Sequence, residues 1–341
     1  MSDTGCRMVI EMTSTHRTAP HDHVVDLYET DLDLVSNVTR FLVEGFDADG
    51  VTVLIATAEH REVIEGLLAD RMDLPAARCA GRYVSLDASD VLASFMVDGT
   101  PDAGRFEEVV GGLVAEAASG GAAVRAFGEM VSLLWNAGNI VGALKLEVLW
   151  NRLSQDHQFS LYCAYPMAAL VAGDDLDSIR QLCNQHSSLV PPSSYRRAEG
   201  LPGDADALER VVVFVALPEA VGAARRFVMN TVVAWGLDSL ASDVALVTSE
   251  LAANVIRHVS CPFRVTVRRE TDSVTVSVED LSSAVPYHRQ SADVADGDGG
   301  RGLPLVATLS SSWGTQVMST GKVVWVEFSP SPCVISEKAG A

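Results

Sequence analysis

The sequence predicts two domains of different class: an α/β domain built on a mostly parallel sheet, followed by an α+β sandwich. Three observations carry this. The chain has 341 residues, 48% of them hydrophobic, which is enough for two separate cores. Up to about residue 190, apolar β-rich runs alternate with amphipathic helical segments. After a stretch rich in Pro, Ser and Gly the order becomes helices, then strands, with one late helix.

Residues 1–20 read as a disordered lead, and 21–186 as the first domain. In it, "VTVLIAT" (51–57), "RYVSL" (82–86), "AAVRAFG" (122–128) and "FSLYCAYP" (159–166) are expected to be buried strands. "EHREVIEGLLADRM", "RFEEVVGGLVAEAASG" and "GALKLEVLWNRLS" between them are expected helices. Residues 187–207 read as a linker, 208–330 as the second domain and 331–341 as a tail. The second domain opens with the strand "RVVVFVAL", and Pro218 suits the first turn of a helix that stops at Gly236. A second helix at about 239–258, strands "FRVTVRRE" and "SVTVSVED", a short helix from about 302 and a hairpin around Thr320-Gly321 complete it.

The balance of 25 basic against 45 acidic residues gives a formal charge of −20. That argues against general nucleic-acid binding, which depends on phosphate neutralisation by Lys and Arg. The six cysteines, Cys6, Cys79, Cys163, Cys183, Cys261 and Cys333, show no CxxC spacing and read as reduced thiols. With no signal-peptide pattern and no membrane-length apolar run, a cytoplasmic location is expected.

Glu250 and Asn254 stand four residues apart in "SELAANVIRH", so both project from one helix face, beside an apolar stripe. A carboxylate can deprotonate a nucleophile, and an amide oxygen can ligate Mg²⁺. A solvated helix edge is the plainer reading. Asp280 continues the row of Val274, Val276 and Val278, so it needs a partner unless it merely turns the chain at a strand end. "ADGDGGRGLPLV" (295–306) spells a dinucleotide fingerprint, but no strand precedes its glycines. A loop ending in a phosphate-binding helix start remains.

Glu250-Leu251-x-x-Asn254, Asp280 at a strand end, Gly300-Arg301-Gly302-Leu303 and "GKVVWVEF" follow one another in this order. The set resembles the ATPase domain of the GHKL superfamily, a Bergerat-type sandwich, in its anti-sigma-factor serine-kinase subgroup. The resemblance implies ATP and Mg²⁺ as cofactors, Asn254 as Mg²⁺ ligand, Glu250 as general base and Asp280 as adenine contact. Gly300, Arg301, Gly302 and Leu303 would belong to a lid over the phosphates. Members often carry a glycine two residues after the adenine-binding Asp; here that position is Ser282.

The first domain lacks any G-x-x-x-x-G-K-[ST] loop. Its "VTVLIAT" entry, "RAFGEMVSLLWNAGNIVGALKLEVLWNRL" and "FSLYCAYP" resemble the MEDS sensory domain, a RecA-like fold without its nucleotide loop that is proposed to sense small hydrocarbon-like molecules. His23, Tyr28 and Glu129 are the candidate pocket residues, with Glu129 favoured because it follows a strand end. Glu59, His60, Trp135 and Trp150 are further ones, and the tryptophans read more simply as core. His21-x-His23 has metal-ligand character, although an isolated pair near a terminus is ordinarily solvated.

Together the two resemblances imply a sensor that phosphorylates a serine of an anti-anti-sigma (STAS-type) partner. Two other readings stand beside it. One is a non-catalytic, nucleotide-switched protein that binds a sigma factor or its antagonist; the other is a small-molecule sensor whose ATPase half only dimerises. Neither nucleic acid nor membrane is an expected partner, and a homodimer is plausible by analogy.

Overall fold

A computed structural model describes residues 22–172, 175–195, 207–270, 273–284 and 302–329. The chain divides into two compact units between Ser193 and Ser194. The expected lead at 1–20, the expected tail at 331–341 and most of the loop expected to form a lid lie outside the described residues.

The first unit runs β1 (His23–Tyr28), α1 (Asp31–Asp47), β2 (Val51–Ala56), α2 (Ala58–Ala69), α3 (Leu74–Cys79), β3 (Tyr83–Asp87) and α4 (Ala88–Phe95). A small hairpin, β4 (Met96–Val97) and β5 (Thr100–Pro101), leads into α5 (Ala103–Phe106). That helix passes through a π-helical turn at Glu107–Gly111 and continues as α6 (Gly112–Ala118). Then come β6 (Val124–Gly128), α7 (Met130–Asn136), α8 (Ile140–Asp156), β7 (Phe159–Pro166), α9 (Met167–Ala172), α10 (Leu176–Asn184) and β8 (Ser188–Val190). The sheet order is β3-β2-β6-β7-β1-β8 and every pair is parallel. The predicted α/β class is therefore the observed one. Ser188–Val190 falls inside the expected linker, yet it pairs with Val24–Asp26 as an edge strand. The prolines that suggested a linker, Pro191 and Pro192, come after the strand and end it.

Register fixes the two faces of this sheet. His23 is level with Leu161 and Val25 with Cys163, so His23, Cys163 and Tyr165 share a face, the one covered by α8. Val24, Asp26 and Tyr28 share the other with Tyr162 and Ala164, covered by α1. On that second face Asp26 is buried, and its Oδ2 accepts bonds from Tyr162 Oη at 2.9 Å and Asn37 Nδ2 at 3.0 Å.

Burial pushes the Asp26 carboxyl up from 3.8 to about 6, against the lowering effect of Asn37 and Tyr162; Asp33 adds to the rise and Arg40 opposes it. Between those two values the folded chain holds a proton that the unfolded chain has lost. Stability therefore falls as pH rises through this window, by roughly 3 kcal/mol in all, and then levels off. Asp26→Asn should flatten this segment in urea melts at pH 4, 5, 6 and 7. Superimposable wild-type and variant profiles would refute the assignment.

The second unit contains β9 (Glu209–Phe214), α11 (Pro218–Ala234), a 3-10 turn at Asp238–Leu240, α12 (Ala241–His258), β10 (Phe263–Arg269) and β11 (Val274–Asp280). It closes with α13 (Gly302–Leu309), β12 (Ser312–Met318) and β13 (Gly321–Phe328). The strands form one antiparallel sheet in the order β12-β13-β11-β10-β9, packed against helices, as the α+β expectation requires. Pro218 starts α11, and Gly236 follows its end at φ +73°, where a side chain would be strained. Val244, Val247, Leu251 and Val255 form the buried face of α12, which packs on α11, β11 and α13. Asp238–His258 is the one helical stretch among the described residues long and apolar enough to cross a membrane, and in this unit it serves as the core helix.

Candidate functional site

In the second unit, Glu250 and Asn254 are half-buried and one turn apart on α12, flanking the buried Leu251 and Val255. The helix thus presents a carboxylate and an amide at the margin of the core. Asp280, the last residue of β11, is 2% exposed. Its Oδ1 accepts from the backbone N–H of Ser282 at 2.7 Å and from Lys322 Nζ at 2.8 Å; Lys322 also reaches the Ser282 carbonyl at 3.3 Å. The burial of Asp280 is answered within the chain by Lys322. Asp280 turns the chain at the strand end, and it is a buried carboxylate that has a partner.

Lys322 went unrecognised in the sequence. It stands opposite Asp280 in the antiparallel register of β11 and β13, and it is itself buried. Gly321 permits this approach, since a Cβ there would sit 1.9 Å from the Asp280 carbonyl oxygen. Ser282 has no positive φ, so the position where relatives often place glycine needs none here. Gly302 opens α13 and Leu303 follows it. Gly300 and Arg301 lie outside the described residues.

In the first unit the structure separates the three pocket candidates. Tyr28 ends β1 and Glu129 directly follows β6, so both stand at the carboxyl edge of the sheet, with β7 between their strands. Burial, with the Glu129 charge second, pushes the Tyr28 hydroxyl up. The buried Glu129 carboxylate caps the start of α2: Oε2 accepts from Thr57 N at 2.7 Å and Thr57 Oγ1 at 3.1 Å. Its Oε1 lies 2.6 Å from His60 Nδ1, and this bond holds His60 above its ordinary pKa. Glu129 is thus fully engaged with its own chain, as a helix cap and an ion-pair partner.

His23 lies instead at the amino end of β1, on the opposite face. There it joins Glu147 of α8, Cys163 of β7 and His186, which follows α10, and all four are buried. His23 Nε2 is 3.2 Å from Glu147 Oε2 and 3.3 Å from Cys163 Sγ, and Cys163 Sγ is 3.5 Å from Glu147 Oε2. Glu147, Cys163 and His186 carry no local motif and went unrecognised in the sequence. Only the pairing of β1 with β7 and the packing of α8 and α10 bring them to His23. Trp150 is fully buried and Trp135 is 5% exposed, as their core reading expects.

Residues 22–187 match the MEDS family, the methanogen/methylotroph DcmR sensory domain. Residues 214–328 match the histidine kinase-like ATPase domain family. No curated protein matches the chain. The chain thus joins an N-terminal MEDS domain to a C-terminal histidine-kinase-like ATPase domain.

Proposed function

We propose that this chain is a cytoplasmic anti-sigma-type regulator that binds ATP with Mg²⁺ and phosphorylates a serine of an anti-anti-sigma partner, under control of its sensory domain. The observation that carries this is the placing of Glu250 and Asn254 on one face of α12, a helix packed against the strand that ends in the buried Asp280.

The donor set fits such a ligand. Asn254 offers an amide oxygen to Mg²⁺, a cation that keeps few protein ligands. Asp280 offers a buried carboxylate to an exocyclic amine, and the N–H groups at the start of α13 suit phosphate oxygens. When bound, ATP with Mg²⁺ supplies the transferable phosphoryl group and neutralises its charge. Glu250 takes the serine hydroxyl proton on a carboxylate oxygen, and Asn254 fixes the metal's position.

The test is a single-turnover reaction of the full chain with γ-labelled ATP and a serine-bearing STAS-type partner. Label should appear on the partner and vanish when its acceptor serine is replaced by alanine. A partner that binds the chain but never acquires label contradicts the kinase reading.

A further inference from the structure

The MEDS domain contains a second, independent constellation, the buried cluster of His23, Glu147, Cys163 and His186. One ligand atom from each lies within 4.8 Å of the other three. In a tetrahedral zinc site with bonds of about 2.0–2.3 Å, neighbouring ligand atoms stand roughly 3.3–3.8 Å apart. His23 Nε2, Cys163 Sγ and Glu147 Oε2 stand 3.2, 3.3 and 3.5 Å apart, while His186 Nε2 approaches the other carboxylate oxygen, Oε1, at 3.5 Å.

Hydrogen bonding behind the cluster orients these atoms inward. His186 Nδ1 is 2.8 Å from the Leu182 carbonyl, which can only accept, so the proton sits on Nδ1. His186 Nε2 therefore points its lone pair into the cluster, and it is buried without a hydrogen-bond partner. His23 Nδ1 faces Asn151 Oδ1 at 2.8 Å. Asn151 spends its amide N–H groups on the carbonyl and side-chain oxygens of Gln185, which fixes Oδ1 as the acceptor. The His23 ring is thereby held with Nε2 turned toward Glu147 and Cys163. Tyr165 Oη donates to Glu147 Oε1 at 2.6 Å, holding the carboxylate. Histidines tied through their far nitrogen, and a carboxylate tied by a hydroxyl, are the outer-shell pattern of metal ligands.

Charge points the same way. Among the described residues, the Glu147 carboxylate, the Cys163 thiol and the inward nitrogens of His23 and His186 converge in a fully buried spot, where a carboxylate needs a cation beside it. A divalent cation with thiolate, carboxylate and two neutral imidazoles makes a neutral site.

We propose that His23, Glu147, Cys163 and His186 bind one divalent transition-metal ion of the zinc class in a closed four-ligand site, tying β1, β7, α8 and the end of α10 together. On binding, Cys163 gives its proton to solvent and the metal–sulfur bond forms.

The test uses the full chain, expressed with zinc and passed over a chelating resin. Elemental analysis should find one zinc per chain, and X-ray absorption should find two imidazole nitrogens, one oxygen and one sulfur. Growth with cobalt(II) should yield tetrahedral d–d bands and a sulfur-to-cobalt charge-transfer band. Cys163→Ser should abolish that band and His186→Gln should cut metal content at least about tenfold, whereas Cys79→Ser on the exposed thiol should change neither. Wild-type protein without metal, or with zinc that has no sulfur ligand or more than one, overturns the proposal. So does a Cys163→Ser protein with full zinc content and an unchanged shell. The X-ray absorption result stands on wild-type protein, so it holds even if a variant misfolds.

Discussion

Glu250→Gln should lower phosphotransfer to the serine partner by about 10²–10⁴-fold and leave ATP affinity unchanged. The amide keeps the shape of the side chain but cannot accept the hydroxyl proton. Structural damage should be small, because Glu250 is half-buried at the margin of α12 and the helix is anchored by Val244, Val247, Leu251 and Val255. Single-turnover rates at saturating partner measure the transfer, and equilibrium titration measures the affinity. A variant that transfers at the wild-type rate removes Glu250 from the base role. One that loses ATP affinity in proportion shows that Glu250 serves binding instead.

Lys322→Met should destabilise the ATPase unit by about 3–5 kcal/mol, because it leaves a buried carboxylate without its cation. Asp280 and Lys322 are 2% and 6% exposed and joined at 2.8 Å. Adding Asp280→Asn to the Lys322→Met chain should recover most of the loss, since a neutral amide can still accept the Ser282 N–H. The signature is therefore non-additive: a severe single variant and a milder double variant. Urea unfolding of the four chains of this cycle, followed by circular dichroism, gives the coupling. If the two substitutions add, the pair is not a coupled unit and Lys322 lies there for another reason.

Local patterns in the chain reveal most of the ATPase unit. The three- and four-residue spacing in α12 identifies both its buried face and the Glu250–Asn254 edge, and the period of two in β11 puts Asp280 on the core side. Lys322 stayed hidden because its partner is 42 residues away and only the β11–β13 register joins them. In the first unit, runs such as "VTVLIAT" declare strands by continuous apolar character. β1, with Asp26 and flanking polar residues, and β8, with three residues beside two prolines, carry too little signal. The His23 cluster was the hardest feature to see. A parallel sheet joins strands through long crossovers, so His23 and Cys163 become neighbours at a separation of 140 residues with no spacing motif to announce it.

Nucleotide recognition by the ATPase domain underlies the whole functional account, and calorimetry of the full chain with ATP and Mg²⁺ tests it most directly. The account predicts saturable 1:1 binding that weakens at least about tenfold when Asn254→Ala removes the amide ligand or when Mg²⁺ is chelated. Absence of binding, or binding equally tight in Asn254→Ala and without Mg²⁺, would contradict it.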